Sequence, residues 1–216
     1  MKRTIWLLLC GVMICFVAAC EQKATLDNKN GDTMNTVEEA GKLGIVKLYR
    51  QSLPAMRFIG KKYGGEDGET MDAGVADEYK KWYANNWFAL IEGQIDREAG
   101  KIFLGTYEES GSEIGMMRKE PHEYWIGKFT PAGTPVPKGF RHMDFPESVV
   151  GVCWLRAKMS NMFHREWECA KALTDAGHEI ATNEKGEVWY FERYFPPRFD
   201  PDANGVRVLD LCFYVK

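Results

Sequence analysis

The sequence predicts an α+β fold of two strand–strand–helix–strand–strand repeats, with antiparallel sheets and a ligand groove between them. Three observations carry this. Two pairs of apolar, strand-like runs are each broken by a proline, at Leu53-Pro54-Ala55 and at Pro146. After each pair, apolar residues recur at three-or-four spacing, as on one face of a helix. Further strand-like runs follow each helix, and in the last of them Leu209, Leu211, Phe213 and Val215 alternate cleanly.

The elements follow in order. Val46 to Lys62 reads as strand, bend and strand, ended by Gly64, Gly65 and Gly68. From about Met71 to Gly93 the spacing of Val75, Tyr79, Trp82, Tyr83, Asn86 and Leu90 predicts one helix, with Asp72 near its start. Strands are expected at Ile102 to Tyr107, Ile114 to Met117 and His122 to Phe129. Thr130 to Gly139, with three prolines and two glycines, reads as a crossover. The order then returns: strands at Phe140 to Phe145 and Val149 to Leu155, and a helical face of Phe163, Trp167, Ala170, Leu173 and Thr174 closed by Gly177. Glu187 to Tyr194 and Val208 to Val215 complete the second unit.

The octet Glu187-Val188-Trp189-Tyr190-Phe191-Glu192-Arg193-Tyr194 is the most informative stretch. Strand alternation puts Tyr190, Glu192 and Tyr194 on one face and Trp189, Phe191 and Arg193 on the other. A carboxylate between two phenols suits a flat or cationic guest, because ring faces and a partly desolvated acid both attract cations. The plain alternative is a set of core aromatics with Glu192 at a solvated edge. Trp82, Tyr83 and Trp167 read as core residues of the helices.

The chain of 216 residues divides into three parts. Residues 1–19 form a leader, with Lys2 and Arg3 before an uncharged apolar run from Ile5 to Ala19. That run is shorter than the roughly 20 residues a membrane span needs, and it ends in small residues, as a secretory signal does. Val17-Ala18-Ala19-Cys20 resembles a bacterial lipobox, which implies cleavage before Cys20 and lipidation of that residue. Residues 20–44 are the lipidated cysteine and a polar, flexible tether. Residues 45–216 suit one compact domain. The expected location is therefore the bacterial cell envelope, on a membrane outside the cytoplasm.

Removing Lys2 and Arg3 with the leader leaves 26 basic against 31 acidic residues, a net charge of −5. That balance argues against a nucleic-acid partner. Cys153, Cys169 and Cys212 remain after the anchor, an odd number with no C-x-x-C pair, so neither a disulfide framework nor a zinc ribbon is indicated. His122, His142, His164 and His178 lack metal-ligand spacing, and no dinucleotide, P-loop or nucleophile-elbow motif is present. No cofactor or metal is expected.

Val46–Gly65 with its Leu53-Pro54-Ala55-Met56 bend, Tyr124-Trp125-Ile126-Gly127 followed by Val136-Pro137-Lys138-Gly139-Phe140, Gly151-Val152-Cys153-Trp154, and Trp189-Tyr190-Phe191-Glu192-Arg193-Tyr194 come in an order that resembles the GyrI-like small-molecule-binding domain. This is the bacterial transcription-activator effector-binding domain, and the resemblance covers roughly residues 45–216. It implies two pseudo-symmetric repeats around a groove for hydrophobic, planar or cationic compounds. A glutamate on a late strand would lie in an aromatic pocket, and Glu192 falls at that place. Glu192, Tyr190, Tyr194, Trp154 and Tyr124 are the expected ligand-binding residues.

Where such a domain belongs to a regulator it is joined to a DNA-binding module. Here a leader stands in that place, which argues against transcriptional control. Three functions follow. The first is a membrane-tethered module capturing a hydrophobic, planar or cationic compound. The second is a hydrolase of a reactive small molecule, with Glu192 as general base and Tyr194 or Tyr190 steering a proton or water. The third is an interaction protein whose groove takes a peptide or partner.

Overall fold

The structure is a computed structural model that describes residues 44–71, 74–96, 114–118, 123–194 and 196–216. The leader, the lipobox and the tether up to residue 43 lie outside the described residues. So do Asp72, His122 and the strand expected at 102–107.

The described elements run β1 (Gly44–Leu53), β2 (Met56–Gly64), α1 (Val75–Ala84), α2 (Trp87–Glu92), β3 (Ile114–Arg118), β4 (Glu123–Pro131), β5 (Arg141–Phe145) and β6 (Ser148–Lys158). A 3-10 turn at Met159–Asn161, α3 (Glu166–Asp175), β7 (Trp189–Arg193), α4 (Pro196–Phe199) and β8 (Val206–Val215) follow. The strands form one antiparallel sheet in the order β1-β6-β8-β7-β3-β4-β2-β5.

Read outward from the β7–β3 junction, the order is β7-β8-β6-β1 one way and β3-β4-β2-β5 the other. The third, fourth, second and first strands of each repeat therefore fall in matching places, with the first strands exchanged. β1 pairs with β6 of the second repeat, and β5 pairs with β2 of the first. The proline bends after Leu53 and Phe145 are therefore crossings and not hairpins. Each releases the chain from one half of the sheet and starts the next strand in the other.

Three apolar clusters hold the domain. On one face, α1 and α2 cover the first half through Trp82, Phe88 and Ile91 against Ile59, Tyr63 and Ile126. On the same face α3 covers the second half, with Cys169, Ala170 and Leu173 against Cys153, Leu155 and Phe213. The opposite face carries one cluster drawn from both halves, including Met56, Phe58 and Phe129 with Val150, Val152 and Phe191.

On that face Phe145 stacks on Tyr214 with ring centroids 5.5 Å apart, although β5 and β8 stand five places apart in the sheet. A flat sheet would separate them by about 24 Å at the usual strand spacing. The sheet therefore curls until its two halves meet. Arg193 and Asp210, both without solvent exposure, form an ion pair on this face, with the Arg193 Nη2 donor 2.7 Å from Asp210 Oδ2. Cys153, Cys169 and Cys212 are buried.

Two helical readings change. The single helix expected from Met71 to Gly93 is broken at Asn85 and Asn86, where Asn86 takes a left-handed conformation with φ 53°. In α3 the buried face is Glu166, Cys169, Ala170 and Leu173, so the phase differs from the expected one and Trp167 is 53% exposed. The predicted closure of this helix by Gly177 is met. That residue has φ 87°, and the amides of Gly177 and His178 donate to the carbonyls of Thr174 and Leu173.

Candidate functional site

Glu192 sits in β7 at the junction of the two halves, opposite Gly115 of β3 on one side and Leu211 of β8 on the other. Strand alternation turns it to the helix-bearing face, and only 7% of it is exposed. There it meets a groove of about 760 Å³ between the helices of the two halves. α1 supplies Tyr79 and Tyr83 to one wall, and Phe163, Glu166 and Phe199 belong to the other. Glu192, Tyr194 and Tyr124 form its inner surface.

The Tyr194 hydroxyl donates a hydrogen bond to Glu192 Oε2. The ring of Tyr194 packs edge-on against Tyr79 at 6.0 Å and against Phe199 at 4.7 Å. The Tyr79 hydroxyl is buried against those of Tyr124 and Tyr194. Burial pushes the Glu192 carboxyl up to about 7. The Tyr194 hydrogen bond pulls it down and the nearby Glu166 charge raises it further. Burial, with Glu192 nearby, also pushes Tyr79, Tyr124 and Tyr194 well above the ordinary phenol range, so all three stay neutral donors at physiological pH.

Of the five expected ligand-binding residues, three line this groove: Glu192, Tyr194 and Tyr124. Tyr190 shares their face but lies beneath it, stacked on Phe213 at 5.3 Å and close to Glu166. Trp154 stands on the opposite face of the sheet. Its ring packs edge-on against Tyr49 at 5.9 Å, with the Arg198 guanidinium 4.4 Å from its centroid. The expectation that Trp154 faces the groove is therefore corrected. β6 alternates Val150, Val152 and Trp154 on one side with Cys153 and Leu155 on the other, and the helices cover the second set.

Trp82 is core, and the neighbouring Tyr83, expected there too, is 59% exposed on the groove rim. Glu166, Tyr79 and Arg207 are groove residues that the sequence reading did not single out. The exposed Asp200 lies at the same rim. Among the described residues, neither Glu192 nor Glu166 forms an ion pair, and no group of three His, Cys, Asp or Glu side chains is placed to hold a metal ion.

The arrangement of curled sheet, paired repeats and central groove occurs in solved structures. SAV2435 bound to tetraphenylphosphonium matches with a TM-score of 0.52 and 14% identity, over 79% of this chain and 94% of that one. The fold is GyrI-like. A putative bacterial transcription regulation protein from Staphylococcus aureus MU50 is similar at 15% identity over 80% of this chain and 99% of that one, with a TM-score of 0.49. No family model matches the chain. No curated protein matches it either. The GyrI-like arrangement places the β7 carboxylate where the two repeats meet, walled by aromatic side chains from both.

Proposed function

We propose that this domain captures a hydrophobic, planar or cationic small molecule in the groove, with Glu192 as counter-charge and Tyr124, Tyr79 and Tyr194 as ring partners. The observation that carries the reading is Glu192 itself. It is an almost fully buried carboxylate, with a phenol but, among the described residues, no cation beside it, facing a groove of about 760 Å³. Buried charges are normally paired, and a cationic guest would complete this one. The volume lies within the roughly 300–1,000 Å³ typical of small-molecule sites. SAV2435, which has the same fold, was solved with tetraphenylphosphonium, a lipophilic cation. In this reading Cys20 carries the lipid, and the stretch to residue 44 holds the domain off a membrane in the cell envelope.

A thermal-shift and calorimetric comparison of tetraphenylphosphonium with neutral triphenylphosphine oxide tests the proposal. Stabilisation by the cation, weakened in Glu192→Gln while the neutral compound is unaffected, supports it. Equal loss for both compounds removes the charge role.

A second reading has its own support. A carboxyl held at about 7 and hydrogen-bonded to Tyr194 is poised to accept a proton at neutral pH, as a general base of a hydrolase would. Recovery of the ligand by mass spectrometry separates the two, since capture returns it intact and hydrolysis adds water.

A further inference from the structure

The groove holds a second buried acid. Glu166 opens α3, is 9% exposed, and lines the same groove as Glu192. An acid in the first turn of a helix is commonly a solvated partner of the helix dipole. Here the side chain turns inward beside Tyr190, and its charge raises the Glu192 carboxyl. Two phenols of one strand segment thus accompany two acids. Tyr194 donates to Glu192, and Tyr190, two residues before Glu192, lies beside Glu166.

Among the described residues the lining carries three carboxylates, from Glu166, Glu192 and Asp200, against the guanidinium of Arg207 and the imidazole of His164. Among the described residues Arg207 forms no ion pair with either acid. It donates to the Phe199 carbonyl at 2.8 Å and lies over the Phe199 ring at 5.1 Å. The positive end of the α3 dipole offsets Glu166 only in part, because a helix terminus carries about half an elementary charge. Among the described residues neither carboxylate has a paired cation, and two positive charges entering the groove would supply one to each.

We infer that the groove is built for a dication, an elongated aromatic or lipophilic compound with two positive centres, one seated at Glu192 and the other at Glu166. This rests on the cation-binding reading above and assigns Glu166 as the residue that sets the charge number of the ligand. A monocation leaves one carboxylate buried and unpaired, and the electrostatic cost falls on that complex alone.

Two compounds of nearly the same shape test this. Methylviologen carries two positive charges on a bipyridine frame, and N-methyl-4-phenylpyridinium carries one on the matching phenylpyridine frame. Calorimetry at pH 8 is expected to show the dication binding the wild-type protein tighter by about tenfold or more, as close charge pairs allow. Glu166→Gln should abolish that preference by weakening the dication more than the monocation, and Glu192→Gln should weaken both compounds. Tyr190→Phe, which keeps Glu166 but removes the hydroxyl beside it, should reduce the dication preference only. Equal wild-type affinity for the two compounds overturns the dication assignment and leaves cation capture standing. Equal loss of both in Glu166→Gln also overturns it, and no binding of either compound overturns the dication and cation readings together.

Discussion

Tyr194 donates its hydroxyl proton to Glu192 from two residues along the chain, so the carboxylate and the phenol that steadies it come from one strand and its immediate extension. This bond favours the ionised form against burial, which pushes the carboxyl up. Tyr194→Phe should therefore raise the Glu192 carboxyl above its value of about 7. Losing a hydrogen bond to a charged group is worth about 1.5–3 kcal/mol, or roughly one to two pH units. Affinity for tetraphenylphosphonium should fall at pH 7 and recover at pH 9, with the midpoint of the affinity–pH profile moved upward. A drop of the same size at every pH would mean that the phenol acts by shape alone.

Stability should follow the same carboxyl. Its folded value of about 7 lies above the ordinary 4.5, so between these values the folded protein binds more protons than the unfolded chain. Glu192 is then tolerated best below pH 4.5, and its contribution is lost as pH rises through 7. The loss is up to about 3 kcal/mol for a carboxyl so little exposed. The ligand-free wild-type protein should lose melting temperature relative to Glu192→Gln between pH 5 and pH 8. Parallel melting curves across that range would show that Glu192 does not carry the cost.

Two adjacent residues of α1 should behave in opposite ways. Trp82 has no exposure and donates from its indole nitrogen to the Tyr63 hydroxyl at 3.0 Å. Trp82→Ala should cost about 3–5 kcal/mol in urea unfolding. Tyr83 is largely exposed on the groove rim, so Tyr83→Ala should change stability by less than about 0.5 kcal/mol. It should lower the affinity for tetraphenylphosphonium several-fold. A stability loss of similar size in both variants would place Tyr83 in the core after all.

The difference between Trp82 and Tyr83 also shows what the sequence could carry. Helical spacing marks an apolar face, but both residues belong to it, and the split into core and rim depends on where the groove opens. Glu192 was legible because β7 is short, its aromatics alternate around one acid, and prolines mark its end. Trp154 was not, because Val149 to Leu155 is buried on both faces of a central strand and has no polar alternation to fix its side. Glu166 was hidden for a related reason. An acid in the first turn of a helix reads as solvated, and only the packing of α3 turns it inward. The exchange of β1 and β5 between the halves was equally silent, since a proline bend does not say which partner the next strand takes.

The proposed anchor predicts fractionation. Cys20→Ser should move the protein from the membrane to the soluble fraction, and globomycin treatment of wild-type cells should cause the uncleaved form to accumulate. Cys10→Ser should do neither, because bulky Leu9 precedes that residue in place of the small Ala19 before Cys20. Membrane retention of Cys20→Ser would remove the lipid anchor and leave the groove reading untouched.

The ion pair on the far face should carry much of the stability of the β7–β8 half. Asp210 accepts from Arg193 at 2.7 Å and from Arg198 at 2.7 Å, while Arg193 also donates to Gln51 Oε1 at 3.0 Å and to the Tyr49 hydroxyl at 3.3 Å. These contacts tie β7 and β8 to β1, the strand contributed by the other repeat. Burial raises the Asp210 carboxyl despite the two guanidinium groups, which shows how costly the site is to charge. Asp210→Ala takes away the carboxylate that accepts from the buried Arg193, and should cost about 3–5 kcal/mol in urea unfolding. Arg198→Ala should cost much less, because the Arg198 side chain is 18% exposed and Arg193 still holds Asp210. If the two substitutions cost the same, the pair to Arg193 is not what secures the exchanged strand.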